Sequence, residues 1–474
     1  MTTVCHFLRK QIKTIGTIYS LFHFFFYYRT KLASNEVKLP MGSRDTINEK
    51  EYNPFDHRQV DHPTATSGAL IHLLKSSLGT GILAMPNAFK NGGLIFGFVG
   101  TIIVGILCTH CVQLLVAASH EICKRSKQPV LGFSETAGAV FEHGPKKLRG
   151  WSTTAKLVVD IALVVTYFMG SAVYVVFIST SIKQLVDYYQ PDLGWDAIPY
   201  MFLFLVPLII CCQIRELKYL VPFSFLANIF LVTSFAITLY YIFDDMEHIG
   251  EDVEYVGTIN TIPLFFSTVI FAMEGIGVVM PVENNMKKPQ HFLGCPGVLY
   301  SAMTCVVALY TVIGFFGYMK YGSETTASVT YNIPTDHVLA QVAKVLIAAA
   351  VFFTYALQFY VPMDITWRKL LRDRLQPRFH NLGQVLVRTV AVTLTAGVAA
   401  AVPDLEPIIG LVGSICFSTL GLLIPSILDI VLRLEIGFGW MKWRLYKNII
   451  LILFSIFALV SGSYASILSL INEE

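Results

Sequence analysis

Between residues 69 and 470 the chain repeats one pattern, an apolar run followed by a short polar connection. The runs lie near 69–90, 94–118, 156–182, 197–214, 217–243, 261–285, 295–318, 338–362, 385–402, 407–432 and 447–470, eleven in all. About 20 consecutive apolar residues cross the hydrocarbon core of a bilayer as a helix. No water reaches that depth, so each segment has to satisfy its own backbone N–H and C=O groups, and a helix does this. The alternating pattern of a β-barrel is absent. Only 14% of the residues are charged and 54% are hydrophobic, with a mean hydropathy of +0.59. A soluble domain carries about 25% charged residues and needs them to cover its surface. The reading is an all-α polytopic membrane protein with the lipid bilayer as its solvent. The net charge is only +3 and the basic residues cluster in particular loops, which argues against the continuous basic face of a nucleic-acid binder.

Basic residues orient the spans, because loops rich in Lys and Arg stay cytosolic. The 119–155 loop holds Lys124, Arg125, Lys127, Lys146, Lys147 and Arg149. The 363–384 loop holds Arg368, Lys369, Arg372, Arg374 and Arg378, and the 433–446 loop holds Arg433, Lys442 and Arg444. The turns with Arg215 and Lys218, and with Lys287 and Lys288, fall on the same side. The 244–260 loop is acidic, with no Lys or Arg. All basic loops share one side when the N-terminus is cytosolic and the C-terminus is extracellular or lumenal. Residues 1–66 read as a cytosolic, mostly disordered tail. Its apolar stretch at 15–28 is too short to span, no cleavage site of the signal-peptide kind follows it, and Met41 is a possible alternative start.

Two spans are interrupted. In the first, Gly79-Thr80-Gly81 breaks the run and Pro86 follows; in the sixth, Gly275-Ile276-Gly277 breaks it and Pro281 follows. The breaks are 275 − 79 = 196 residues apart, and the same offset carries the second span onto the seventh and the fifth onto the tenth. Two five-helix units of opposite orientation result, 67–243 and 261–432, with an extra helix at 447–470. Paired glycine- and proline-interrupted segments in corresponding positions mark the binding site of a secondary transporter. Unwinding a helix in hydrocarbon exposes peptide groups that need partners, and a zwitterion supplies them. N–H groups at Gly81 and Ile82 suit a carboxylate. Carbonyls near Ser77, Leu78, Phe271 and Ala272 suit an ammonium. Ser76, Thr80, Gly275 and Gly277 complete the candidate set. The alternative is that the glycines are packing devices between helices.

Charges at membrane depth are costly and usually functional. His72, Lys75, Ser76 and Gly79 share one helix face by their spacing. His72 lies about 10 Å along the helix from the break, which suits an access path. Histidine changes charge near neutral pH and can carry a coupling proton; a neutral histidine bonded to a neighbouring helix is the alternative. Glu274 beside the second break is a candidate to bind the ammonium, to exchange a proton, or to pair with Lys75. Asp160, on the third span near the cytosolic face, reads rather as a solvated or snorkelling residue. Tyr167, Tyr355 and Phe359 either line the pocket or pack as aromatic core.

Other signals carry little. Cys108 and Cys111 have CxxC spacing but lie in an apolar helix with no second ligand pair, so no metal site follows. There is no phosphate-binding loop of an ATP-driven pump, no potassium-channel filter and no N-glycosylation acceptor. The nine cysteines show no disulfide framework.

Three segments, IHLLKSSLGTGI at 71–82, IFAMEGIGVVMPVEN at 270–284 and TYALQFYVP at 354–362, resemble the proton-coupled amino acid transporter family of the amino acid/auxin permease group, and its insect members most of all. The similarity covers about residues 60–472. The resemblance implies a LeuT-like fold, a five-plus-five inverted repeat with one extra helix and eleven transmembrane helices. It implies symport of protons with small neutral amino acids and no cofactor beyond the proton. It places His72 at the position of a proton-sensing histidine and Glu274 at that of an acidic residue beside the break. It implies residence in the plasma membrane, in endosomes or lysosomes, or in both. One departure is plain: the outer loops 183–196 and 319–337 lack the cysteines seen in mammalian relatives. A second reading, from another class, is a nutrient sensor that transports slowly and signals through cytosolic partners. A channel is the third.

Overall fold

The computed structural model describes residues 52–473 except 59, 61, 62, 78, 216, 245–251, 274, 295, 296 and 368–375. The tail at 1–51 and the candidate residues Leu78 and Glu274 lie outside the described residues.

The first apolar run forms three short helices, α1 (Thr66–Ser77), α2 (Thr80–Leu83) and α3 (Met85–Gly92), the last with a proline in its first turn. Then follow α4 (Leu94–Ser126), α5 (Phe133–Glu142), α6 (Ser152–Tyr189), α7 (Ala197–Cys212) and α8 (Leu217–Phe243). The sixth run is broken into α9 (Ile262–Ala272) and α10 (Ile276–Asn284). The remaining helices are α11 (Val298–Tyr321), a single turn α12 (Val329–Asn332), α13 (Val338–Ile365), α14 (His380–Ala401), α15 (Leu405–Leu411), α16 (Ile424–Ile436) and α17 (Trp443–Glu473). A π-helical stretch, Val412–Leu423, joins α15 to α16. Such wide turns are rare and recur at functional sites.

Among the described residues, nine helical segments are long and apolar enough to cross a membrane, α9–α10 counting as one and α15–α16 as another. The expected span at 197–214 corresponds to the shorter α7, and the one at 69–90 to α1–α3. The outer surface is apolar. Phe202, Leu203, Val206 and Ile210 of α7, Phe225 and Val232 of α8, and Leu453, Phe457 and Val460 of α17 are all exposed. Serines and threonines turn inward and donate to carbonyls one turn back, as Thr109 does to Gly105 and Ser171 to Tyr167. This satisfies their hydroxyls inside the bundle. The protein is an integral membrane protein.

The two broken segments run antiparallel. At one face of the bundle the residues before α1 meet the end of α10: Thr64 N–H donates to the Asn285 carbonyl at 2.8 Å, and Lys287 N–H to the Thr64 carbonyl at 2.9 Å. At the opposite face the end of α3 meets the approach to α9, Gly257 N–H donating to the Gly92 carbonyl at 2.7 Å. The loops sort accordingly. Arg58 bonds the Pro129 carbonyl, Arg125 pairs with Glu435, and Arg215 bonds Asn381, so basic loops meet basic loops. Acidic-loop residues meet the other ends: Leu94 N–H donates to the Glu254 carbonyl, and Lys320 to that of Asp244.

Candidate functional site

Gly79 is extended, with φ −114° and ψ −152°, and separates α1 from α2. At the second break Met273 caps the end of α9 and Gly275 precedes α10, both outside helical geometry. Where the two meet, Gly81 lies against the backbone of Ala272, and a Cβ built on Gly81 would stand 2.6 Å from the Ala272 Cα. Gly275 faces the Ser77 hydroxyl. A cavity of about 310 Å³ lies at this junction, at the lower end of the range for small-molecule sites.

The cavity draws walls from both broken segments and four other elements. His72, Lys75, Ser76 and Ser77 of α1, Gly79, Thr80 and Gly81 line one side, and Phe271, Ala272, Gly275, Gly277, Val278 and Val282 line another. Thr166, Tyr167 and Tyr174 of α6, Ser224, Asn228 and Leu231 of α8, Thr354, Leu357, Gln358 and Val361 of α13, and Phe417 and Leu420 of the π stretch complete it. Burial is graded. Thr80, Phe271, Ala272, Phe417 and Leu420 are buried at the deep end, while His72, Lys75 and Val361 are exposed at the mouth. The cavity therefore opens toward the face that holds Thr66. The far face is shut by the Gly92–Gly257 pairing and by Asn91, whose Nδ2 donates to Glu406 Oε1 at 2.7 Å.

The structure brings twelve of the expected site residues to this cavity: His72, Lys75, Ser76, Ser77, Gly79, Thr80, Gly81, Tyr167, Phe271, Ala272, Gly275 and Gly277. Others sit differently. Ile82 is buried in the core and does not line the cavity. Tyr355 and Phe359 are fully buried and stacked on each other at 5.8 Å, and the Tyr355 hydroxyl bonds Thr395 of α14 at 2.7 Å. They are aromatic core, and the adjoining face of α13, with Thr354, Leu357, Gln358 and Val361, does the lining. Each residue turns a helix by about 100°, so a small error in helix rotation exchanges one face for the next.

The Ser77 carbonyl accepts from both the Gly79 N–H, at 3.0 Å, and the Tyr310 hydroxyl. A carbonyl has two lone pairs, so this one has no capacity left for an ammonium. The Ser76 and Ser77 hydroxyls both donate back to the Leu73 carbonyl. Lys75 Nζ donates across the mouth to Ser224 Oγ at 3.3 Å, tying α1 to α8. The α2 helix is a single turn, so it has little macrodipole; what it presents are the N–H groups at its start, which have no partner within the helix. Gly277 is closely packed: a Cβ there would meet the Tyr167 hydroxyl, which would have to move. Ser224, Asn228, Thr354, Gln358 and Thr166 were not among the expected residues. Ser224 and Asn228, one turn apart in an apolar span, carried the polar-at-depth signal that could have found them.

Antiparallel broken helices with a cavity at their junction define a polytopic carrier of the LeuT-like class. The chain belongs to the family described as transmembrane amino acid transporter protein, whose model matches residues 62–468. It is 42% identical to the proton-coupled amino acid transporter-like protein pathetic of Drosophila melanogaster over 422 residues, 89% of this chain and 88% of the relative. It is 25% identical to the probable amino acid transporter skat-1 of Caenorhabditis elegans over 88% of this chain and 94% of that protein. Among solved structures, the inward-facing conformation of Mhp1 shares the fold with a TM-score of 0.53, at 12% identity over 90% of this chain and 93% of that one. The chain is an amino acid transporter rather than an enzyme.

Proposed function

We propose that the protein carries small neutral amino acids together with protons, by alternating access through the cavity between the two breaks. The observation that carries the reading is the junction itself: two antiparallel segments interrupt their helices at one point, and the cavity there is walled by Gly79, Gly81, Gly275 and Gly277. Its volume of about 310 Å³ suits a small solute. Among the described lining residues the charged or titratable groups are His72 and Lys75, both at the mouth, with Tyr167 and Tyr174 deeper. An uncharged side chain is favoured beyond them, and the zwitterion's ends are left to backbone and hydroxyl groups. Glu274 and His72 are the groups proposed to handle the proton, which is the coupling ion; no other cofactor enters. The relative named as proton-coupled supports the coupling to protons.

The same reading takes residues 67–243 and 261–432 as the inverted repeats, 447–470 as the eleventh crossing, and the Thr66 face as cytosolic. The membrane is the plasma membrane, an endosomal or lysosomal membrane, or both. Uptake into proteoliposomes under an imposed pH gradient, with a panel of amino acids, tests it. Acid on the side opposite Thr66 should raise saturable uptake of small neutral amino acids. Uptake indifferent to pH removes the proton, and no uptake with nutrient signalling intact in cells favours the sensor with cytosolic partners.

A further inference from the structure

The cavity wall that α10 supplies is anchored from behind. Val278 and Val282 face the cavity, while the next residue, Glu283, turns away and is fully buried. Its Oε1 lies 3.0 Å from Arg58 Nη2 and 2.7 Å from His120 Nε2 of α4. Arg58 Nη2 also donates to Glu283 Oε2 at 3.3 Å, Nη1 to the Glu283 carbonyl at 3.1 Å, and Nε to the Pro129 carbonyl at 3.1 Å. The Arg58 side chain is itself only 5% exposed. Phe55 covers the cluster, 5.2 Å from the guanidinium and edge-on to His120 at 5.0 Å. A one-turn helix, Pro54–His57, capped by the Asn53 side chain, presents Phe55 and Arg58 together.

We propose that this segment before α1 is a clasp on α10, and that its Arg58–Glu283–His120 core holds the protein in the state whose cavity opens beside Thr66. The α10 helix has nine residues and joins α9 through a non-helical break, so it is a short lever hinged at Gly275. Swinging it toward α8 and α13 narrows the mouth. That motion draws Glu283 away from His120 on α4 and from Arg58, whose Nε is held by the Pro129 carbonyl. A buried carboxylate that loses a partner becomes an uncompensated charge, so the cluster opens as a unit. The clasp therefore makes the segment before the first helix part of the machinery that sets which side has access.

The inference rests on the cavity being an alternating-access path, and its test needs no substrate, so failure of the amino acid reading leaves the outcome legible. The purified full-length chain carries Val361→Cys at the mouth, and its modification by a water-soluble maleimide is followed by mass spectrometry of that peptide. Adding Arg58→Ala should slow modification about threefold or more, as the population shifts away from the open state. Arg58→Lys should fall between, and Glu283→Gln combined with Arg58→Ala should slow it no further. Phe55→Ala, which leaves the charges in place, should slow it less and serves where Arg58→Ala fails to yield monodisperse protein. An unchanged rate in monodisperse Arg58→Ala, or in Phe55→Ala where that variant replaces it, overturns the clasp.

Discussion

Gly81 and Ala272 bring the two broken segments into backbone contact: a methyl on Gly81 would stand 2.6 Å from the Ala272 Cα. The opposing atom is main chain, so the clash cannot be relieved by turning a side chain. Forced overpacking costs about 1–3 kcal/mol, and here it also pushes apart the walls of the cavity. Gly81→Ala should lower uptake at least about tenfold and lower the melting temperature, whereas a full-rate Gly81→Ala protein would mean that the two breaks need not meet.

Gly79, two residues away, makes the opposite prediction. A Cβ there meets no atom within 4 Å, because it projects into the cavity. Gly79→Ala should fold as well as the native chain and discriminate more sharply against larger amino acids. One buried methylene is worth about 1–3 kcal/mol in a pocket, which a panel of competing substrates would read as a rise in KM with side-chain size.

Tyr167 and Gly277 should be coupled. The Tyr167 hydroxyl occupies the space that a Gly277 side chain would take. Gly277→Ala alone should depress uptake strongly, and adding Tyr167→Phe should restore part of it. Contacting residues show interaction energies of about 0.5–3 kcal/mol, so a double-mutant cycle on kcat/KM should depart from additivity in the rescuing direction.

The two faces of α13 should separate stability from affinity. Tyr355→Phe removes the buried hydroxyl bond to Thr395 and should cost about 0.5–1.5 kcal/mol of stability, with KM unchanged. Gln358→Ala and Thr354→Val alter the cavity wall and should raise KM with little change in melting temperature.

His72 sits exposed at the cavity mouth. As the proposed carrier of the coupling proton, it should matter to coupling rather than to binding: His72→Gln should flatten the response of uptake to an imposed pH gradient and leave exchange of bound amino acid without a gradient intact.

Much of this architecture was legible in the residues. Hydrophobic length located the spans, and the glycine pairs at 79–81 and 275–277, 196 residues apart, located the cavity. What could not be read was rotation and contact. Tyr355 and Gln358 lie three residues apart on one helix, and only packing against α14 decides that the first turns to the core and the second to the cavity. The filled Ser77 carbonyl depends on Tyr310, a residue 233 positions away. The same holds for the Glu283 cluster: its carboxylate stood in a recognised motif, but its partners come from α4 and from the segment before α1. The shortness of α7 and the three-way division of the first span are likewise outcomes of packing that hydropathy does not record.

An experimental density map of the protein prepared with a transported amino acid tests the central claim most directly. Density for one amino acid lying between Gly79–Gly81 and Gly275–Gly277, with its carboxylate and ammonium against the interrupted backbone, is the predicted result. A map with the amino acid bound elsewhere and both segments continuous through residues 78 and 274 would contradict it.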